Sequence, residues 1–261
     1  MSHGTKDDNE NASQDEQVRQ NEQIRWVTDP VSLDKLRITA GHAKAAHELV
    51  PVIREALKAT GKVVFAAGGE SGTGKSEIAY LVREILKEQG VSTVAWSFDN
   101  AYVTTPEERE EKRAEDYDNN VGLNEMNRSK IEEVLSCFEQ DKPVTVPIVV
   151  INADGSRPIK EITLDMEKKK VLILDGLYAA IIGKLKTDES KATRIIAMNA
   201  KKFNLDAQKE RGKEEVNEHR LKVLERECQA VRSLWPCVTH RIAEDWKVAA
   251  YTHKGEVLSL F

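Results

Sequence analysis

Between Ala43 and Lys58 the apolar residues Ala46, Leu49, Val50, Ile53, Ala56 and Leu57 recur three and four apart, which is one face of a helix. Pro51 interrupts that stripe and predicts a kink or a restart, because proline removes a backbone donor. Gly61 stands where the chain needs the left-handed conformation just past a helix end. The next apolar run, Val63 to Ala67, is short and rich in β-formers, gives way to glycines, and leads into a helical pattern from Lys75 to Glu88. Further strands are predicted at Thr93 to Phe98, Lys170 to Leu174, Ala192 to Met198 and Trp246 to Tyr251. Strands separated by helical stretches imply an α/β fold, a central parallel sheet flanked by helices.

Two segments depart from that grammar. Val144 to Ile151 is apolar and β-rich, meets the turn pair Asp154-Gly155, and is followed by alternation from Ile159 to Leu164. This predicts a small β-hairpin inserted into the α/β core, placed as a substrate-side flap. Lys201 to Arg232 is heavily charged with only Val216, Leu221, Val223, Leu224 and Val231 in its seam, so it predicts one mostly exposed helix. Residues 1–21 carry almost nothing apolar and read as a disordered tail, since such a segment cannot offset the entropy of ordering. Residues 22–261 are then expected to form a single domain.

Composition narrows the classes of partner. With 261 residues, 40% hydrophobic and 32% charged, the chain can bury a core, and its net charge of -5 gives no global reason to expect nucleic acid. No stretch approaches the roughly 20 apolar residues of a spanning helix, and the N-terminus is polar rather than signal-like, so no membrane association and a cytoplasmic location are expected. Cys137, Cys228 and Cys237 lack CxxC spacing and suit reduced thiols. The histidines show no metal-binding spacing, and a homo-oligomer is left open.

The chemistry concentrates in Gly69-Glu70-Ser71-Gly72-Thr73-Gly74-Lys75-Ser76, which meets every fixed position of the pattern G-x-x-x-x-G-K-S/T. It follows a predicted strand and opens a predicted helix, so its amides would wrap phosphates at the positive helix end, with Glu77 in the first turn counted in the nucleotide-binding set. Lys75 would reach the β- and γ-phosphates of ATP, and the Ser76 hydroxyl would ligate Mg²⁺. A second metal-holding group is expected at the end of another buried strand, where Val171-Leu172-Ile173-Leu174 delivers Asp175 to the carboxyl edge of the sheet.

In this setting the sequence resembles the uridine kinase and phosphoribulokinase family of P-loop small-molecule kinases, over about Lys62 to Val248. GESGTGKS is similar to that family's phosphate loop, and Leu174-Asp175-Gly176-Leu177-Tyr178-Ala179 to its Glu-Gly-Leu-His-Ala motif, with Asp for Glu and Tyr for His. Ser97-Phe98-Asp99-Asn100-Ala101-Tyr102 resembles its Asp-Ser-Phe-Tyr segment, with Thr105-Pro106-Glu107-Glu108 following. The resemblance implies a P-loop NTPase fold with a helical lid, a kinase acting on a small-molecule hydroxyl, and Asp99 as catalytic base. It implies Arg157 as a substrate-binding arginine, and Arg211 on the lid, between Asp206 and Gly212, facing the moving phosphoryl group. Tyr102 and Tyr117 could pack against or hydrogen-bond the acceptor. The family's His-Pro-Asp-Ala-Phe-Asp segment is replaced by Asp118-Asn119-Asn120-Val121-Gly122-Leu123, and the Thr-His before its substrate arginine by Asp154-Gly155-Ser156, which argues against uridine itself. A reading of a different class is a nucleotide-operated P-loop ATPase or regulator without a small-molecule acceptor, which would need loops sensing the γ-phosphate rather than an acceptor base.

Overall fold

The computed structural model describes residues 24–32, 34–150, 156–185, 192–201, 217–251 and 257–258. In chain order these form β1 (Arg25–Thr28), β2 (Lys35–Ile38), α1 (Ala40–Thr60), β3 (Val63–Gly68), α2 (Lys75–Glu88), β4 (Thr93–Ser97), α3 (Pro106–Glu115), α4 (Tyr117–Asn120) and α5 (Arg128–Glu139). There follow β5 (Val144–Val149), β6 (Ile159–Leu164), β7 (Val171–Asp175), β8 (Thr193–Asn199), α6 (Glu218–Arg232), β9 (His240–Ile242), β10 (Val248–Tyr251) and β11 (Val257–Leu258).

The main sheet runs in the order β11-β10-β9-β8-β3-β7-β4. From β4 to β9 every pairing is parallel. β3 lies in the middle and every residue of it is buried. Because side chains alternate across a strand, Val63, Phe65 and Ala67 pack with Leu49 and Ile53 of α1 and Ile78, Val82 and Leu86 of α2. Val64 and Ala66 point the other way, into a second cluster with Ile131, Leu135 and Phe138 of α5. A strand apolar on both faces is what a sheet covered by helices on both sides requires.

α1 continues through Pro51 with no restart. The lost backbone bond of an interior proline costs about 3 kcal/mol, but Leu49, Val50 and Ile53 around it are fully or nearly buried, and their packing keeps the helix in one piece. Gly61 caps it at φ 75°, and its N–H donates to the Leu57 carbonyl.

The last predicted strand needs a correction. Val248–Tyr251 runs antiparallel to β9 rather than joining the parallel set. The connection 243–247 is closed by Ala243 N donating to Lys247 O at 2.8 Å, and so short a link permits a hairpin but no crossover. The inserted hairpin is present as β5 paired antiparallel with β6 from Val144↔Leu164 to Val149↔Ile159. Its predicted turn at Asp154-Gly155 lies outside the described residues. Of the charged stretch, α6 is described from Glu218; residues 202–216, with Arg211 and the rest of the expected lid, lie outside the described residues, as does the N-terminal tail.

The hairpin β1–β2 was not predicted. It docks on α2 through buried Leu36 and Ile38 and through a pair between Asp29 Oδ1 and Arg83 Nη2 at 2.7 Å. Among the described residues no helix is long and apolar enough to cross a membrane.

Candidate active site

At the carboxyl end of β3 the chain turns through the glycine-rich loop and enters α2 at Lys75. Gly74 caps that helix at φ 87°, and an ideal Cβ there would stand 2.4 Å from His42 Nε2, so no side chain fits. Side chains hold the loop's own carbonyls: Thr73 Oγ1 donates to Glu70 O at 2.7 Å, and Asn199 Nδ2, from the end of β8, donates to Thr73 O at 2.7 Å. Lys75 Nζ reaches Glu70 O at 3.5 Å. These bonds fix the shape of the loop, with the positive end of α2 behind it.

Two members of the predicted nucleotide set sit differently from the rest. The Glu70 carboxylate turns to α6, where Arg232 Nε donates to it at 2.7 Å. Glu77 is 1% exposed on the inner side of α2. Any contact Glu70 makes with phosphate falls to its backbone.

Asp175 stands opposite Ala67 of β3 and Ser97 of β4 in the sheet register, so it emerges beside the loop. Burial pushes its carboxyl up to about 7, the Asp99 charge adds to that, and the Ser76 hydroxyl bonded to it and Lys75 pull the other way. A partly buried carboxylate bonded to the Ser76 hydroxyl in the first turn of α2 is chemically suited to a divalent cation, which would favour its charged form.

Asp99 occupies a single 3₁₀ turn, Phe98–Asn100, that follows β4, and its N–H donates to Ser97 Oγ at 3.4 Å. Gly176, at φ 151°, lets this turn close on the end of β7: a Cβ there would lie 2.6 Å from Phe98 Cβ and 3.4 Å from Asp99 Oδ1. The inserted hairpin is tied to the same turn and to β4 before it, since Val149 N donates to Asn100 Oδ1 at 2.8 Å and Trp96 Nε1 of β4 to Pro147 O at 3.2 Å.

The loop, the Asp99 turn and the inserted hairpin border a cleft of about 420 Å³, a volume suited to a small molecule; Ser76 and Asp175 are not among the residues that line it. Ser71 and Lys75 line it together with Asp99, Tyr102 and Arg157, so five residues named from the sequence converge. Tyr117 does not join them; it lies on α4 and is 36% exposed. Burial raises the Tyr102 phenol well above its usual range, and the charges of Asp99 and Glu227 add to that. Tyr178, in the position of the family's histidine, is 1% exposed, and its hydroxyl has no hydrogen-bond partner among the described residues.

The sequence reading missed one wall. Arg113 of α3 forms a fork to Glu125, at 2.7 and 3.1 Å, and also pairs with Glu227 of α6 at 3.1 Å. One turn earlier, Arg109 lies over the Tyr102 ring at 3.9 Å. Both arginines border the cleft, as do Arg220, Glu227, and Ser32 and Asp34 from the β1–β2 loop. Spacing of four on a helix opened by Thr105 and Glu108 in a capping box was the available signal, with Pro106 in its first turn.

Residues 64–190, just under half the chain, match the model of the Phosphoribulokinase / Uridine kinase family. A search of curated proteins finds no match. Among solved structures, D-glycerate 3-kinase from Cryptococcus neoformans var. grubii aligns with a TM-score of 0.51 at 10% identity, covering 82% of this chain and 97% of that one. Phosphoribulokinase from Rhodobacter spheroides aligns with a TM-score of 0.51 at 12% identity, covering 70% and 69%. At such identities the structural likeness shows the fold alone, an α/β fold with a mostly parallel central sheet flanked by helices. The segment that matches the Phosphoribulokinase / Uridine kinase family model holds both the phosphate loop and the Asp175 motif, and over those residues the chain is similar to that family.

Proposed function

We propose that this protein is an ATP-dependent kinase that transfers the γ-phosphoryl group to a hydroxyl of a small molecule. The observation that carries the reading is the meeting of Lys75 and Asp99 on one cleft of about 420 Å³. A cation for the phosphates and a carboxylate for the acceptor are the two things phosphoryl transfer asks of a protein, since its catalysis is mostly positioning and charge stabilisation.

In this reading the loop amides and the end of α2 hold the β- and γ-phosphates, and Lys75 follows the charge that develops on them. Ser76 and Asp175 would hold Mg²⁺, which supplies charge neutralisation across the phosphates. Asp99 accepts the proton as the acceptor oxygen bonds to the γ-phosphorus and the bond from that phosphorus to the ADP oxygen breaks. The products are the phosphorylated acceptor and ADP. The family match over residues 64–190 supports the reaction class.

The test is a panel of hydroxyl-bearing metabolites incubated with Mg-ATP, followed by ADP release and mass spectrometry. An acceptor gaining one phosphoryl group supports the proposal. ADP release that no acceptor stimulates, with inorganic phosphate the sole other product, would assign the chain instead to nucleotide-operated regulators.

A further inference from the structure

Most cations on the cleft are already engaged. Arg113 is divided among Glu125, Glu227 and Glu110, the last at 3.3 Å, and Arg220 reaches Glu227 at 3.5 Å. Arg109 differs from them. Its guanidinium rests on the Tyr102 ring at 3.9 Å, its Nε is buried without a hydrogen-bond partner, and among the described residues no carboxylate pairs with it. It borders both the main cleft and a neighbouring cavity of about 210 Å³, to which Lys112, Asn120, Asn124 and Glu125, the last held by Arg113, also contribute.

Arg109 is partly buried at the cleft wall, and a guanidinium there with its Nε unpartnered and, among the described residues, no carboxylate beside it leaves a pairing for a ligand to complete. Stacking on Tyr102 occupies the flat face of the guanidinium and leaves its N–H edge, a fork that suits the paired oxygens of a phosphate or carboxylate. Tyr102 follows Asp99 by less than one turn of chain, and both line the cleft. An anion held by Arg109 therefore belongs to the molecule that presents its hydroxyl to Asp99.

We infer that Arg109 is a specificity-determining residue which recognises an anionic group, a phosphate or a carboxylate, on the acceptor. The inference rests on the kinase reading and narrows it, from any small hydroxyl compound to acids and phosphate esters. Arg157, on the β5–β6 insertion, borders the same cleft.

The test separates the two claims. The full chain is first saturated with Mg²⁺ and a non-hydrolysable ATP analogue, which fills the phosphate loop, and calorimetry then follows the addition of inorganic phosphate in one arm and acetate in the other. The arm that binds identifies the kind of anion. Arg109→Gln is expected to weaken that binding about 10- to 100-fold, the range of a charge-assisted fork, with Arg109→Lys in between. An unchanged thermal unfolding midpoint shows that the variants fold. If neither anion binds the loaded wild type, or Arg109→Gln binds as well as wild type, the inference is overturned while the kinase reading stands. If the ATP analogue itself fails to bind, the kinase reading falls and the assignment of Arg109 to a phosphoryl acceptor is overturned with it.

Discussion

Arg232 Nε donates to Glu70 Oε1 across 2.7 Å, joining the last turn of α6 to the phosphate loop. The two partners are unequal, with the arginine side chain 54% exposed and the glutamate 7%. Solvent screens the arginine end, so Arg232→Ala is expected to lower stability by no more than about 1 kcal/mol. Its larger effect falls on the ligand, because an unclamped Glu70 carboxylate repels the triphosphate. About fivefold weaker binding of a Mg-ATP analogue is expected, a loss of about 1 kcal/mol. Calorimetry on the variant checks this, and unchanged affinity would remove the coupling between α6 and the loop.

Asp99 and Lys75 are expected to separate by kinetics. Asp99→Asn keeps nucleotide binding and lowers kcat by at least about 100-fold, the usual scale of a general base. Lys75→Ala lowers kcat/KM for every acceptor alike, since it acts on the shared phosphates. Steady-state assays on two acceptors decide the matter, and a Lys75→Ala defect confined to one acceptor contradicts its placement.

Gly176 permits the close approach of the Asp99 turn to the end of β7. Gly176→Ala places a methyl group 2.6 Å from Phe98 Cβ at φ 151°. The strain is about 1–3 kcal/mol, and relieving it displaces Asp99. A lower urea midpoint together with a fall in kcat larger than the fall in nucleotide affinity is the expected result.

The Asp29–Arg83 pair is nearly dry, with side chains 11% and 10% exposed, and it fastens the unpredicted β1–β2 hairpin to α2. Asp29→Ala removes the 2.7 Å bond while Arg83 keeps Glu84 at 3.1 Å, so the loss should be about 2 kcal/mol, the scale of a hydrogen bond to a charged group. Asp29→Ala combined with Arg83→Met should recover a substantial part. Urea unfolding of the single and double variants measures both, and equal losses would contradict the buried-charge account.

His240, at the start of β9, is held neutral by burial, its pKa lowered from the usual value. The unfolded chain then binds a proton more readily than the folded one, so stability is full above about pH 6.5 and declines as pH falls below it. His240→Gln, which cannot take up the proton, should flatten that decline in urea midpoints measured from pH 8 to pH 5. A slope identical to wild type would show that other groups govern it.

How much of this was legible beforehand follows from the reach of each signal. The apolar run Val63 to Ala67 and the helical pattern Lys75 to Glu88 reappear as β3 and α2 almost to the residue, because both are buried and strongly periodic. The short β1–β2 hairpin escaped notice: four-residue strands carry too little pattern, and its docking depends on Arg83, distant in sequence. Tyr102 and Tyr117 looked equivalent in the sequence, yet one lines the cleft and the other sits on the surface of α4.

By itself the sequence determined the phosphate loop, the strands that carry it and Asp175, and the order of motifs, since each is written in contiguous residues whose spacing sets local geometry. Only tertiary structure decided that Arg113 would be neutralised by Glu125 and Glu227 while Arg109, one turn away on the same helix, meets no carboxylate among the described residues. Both arginines have the same charge and sit on the same helix, and what distinguishes them is that Glu125 and, from α6 more than a hundred residues later in the chain, Glu227 both reach Arg113. Ion pairing falls off over a few ångströms of space, a distance that spacing along the chain does not reveal.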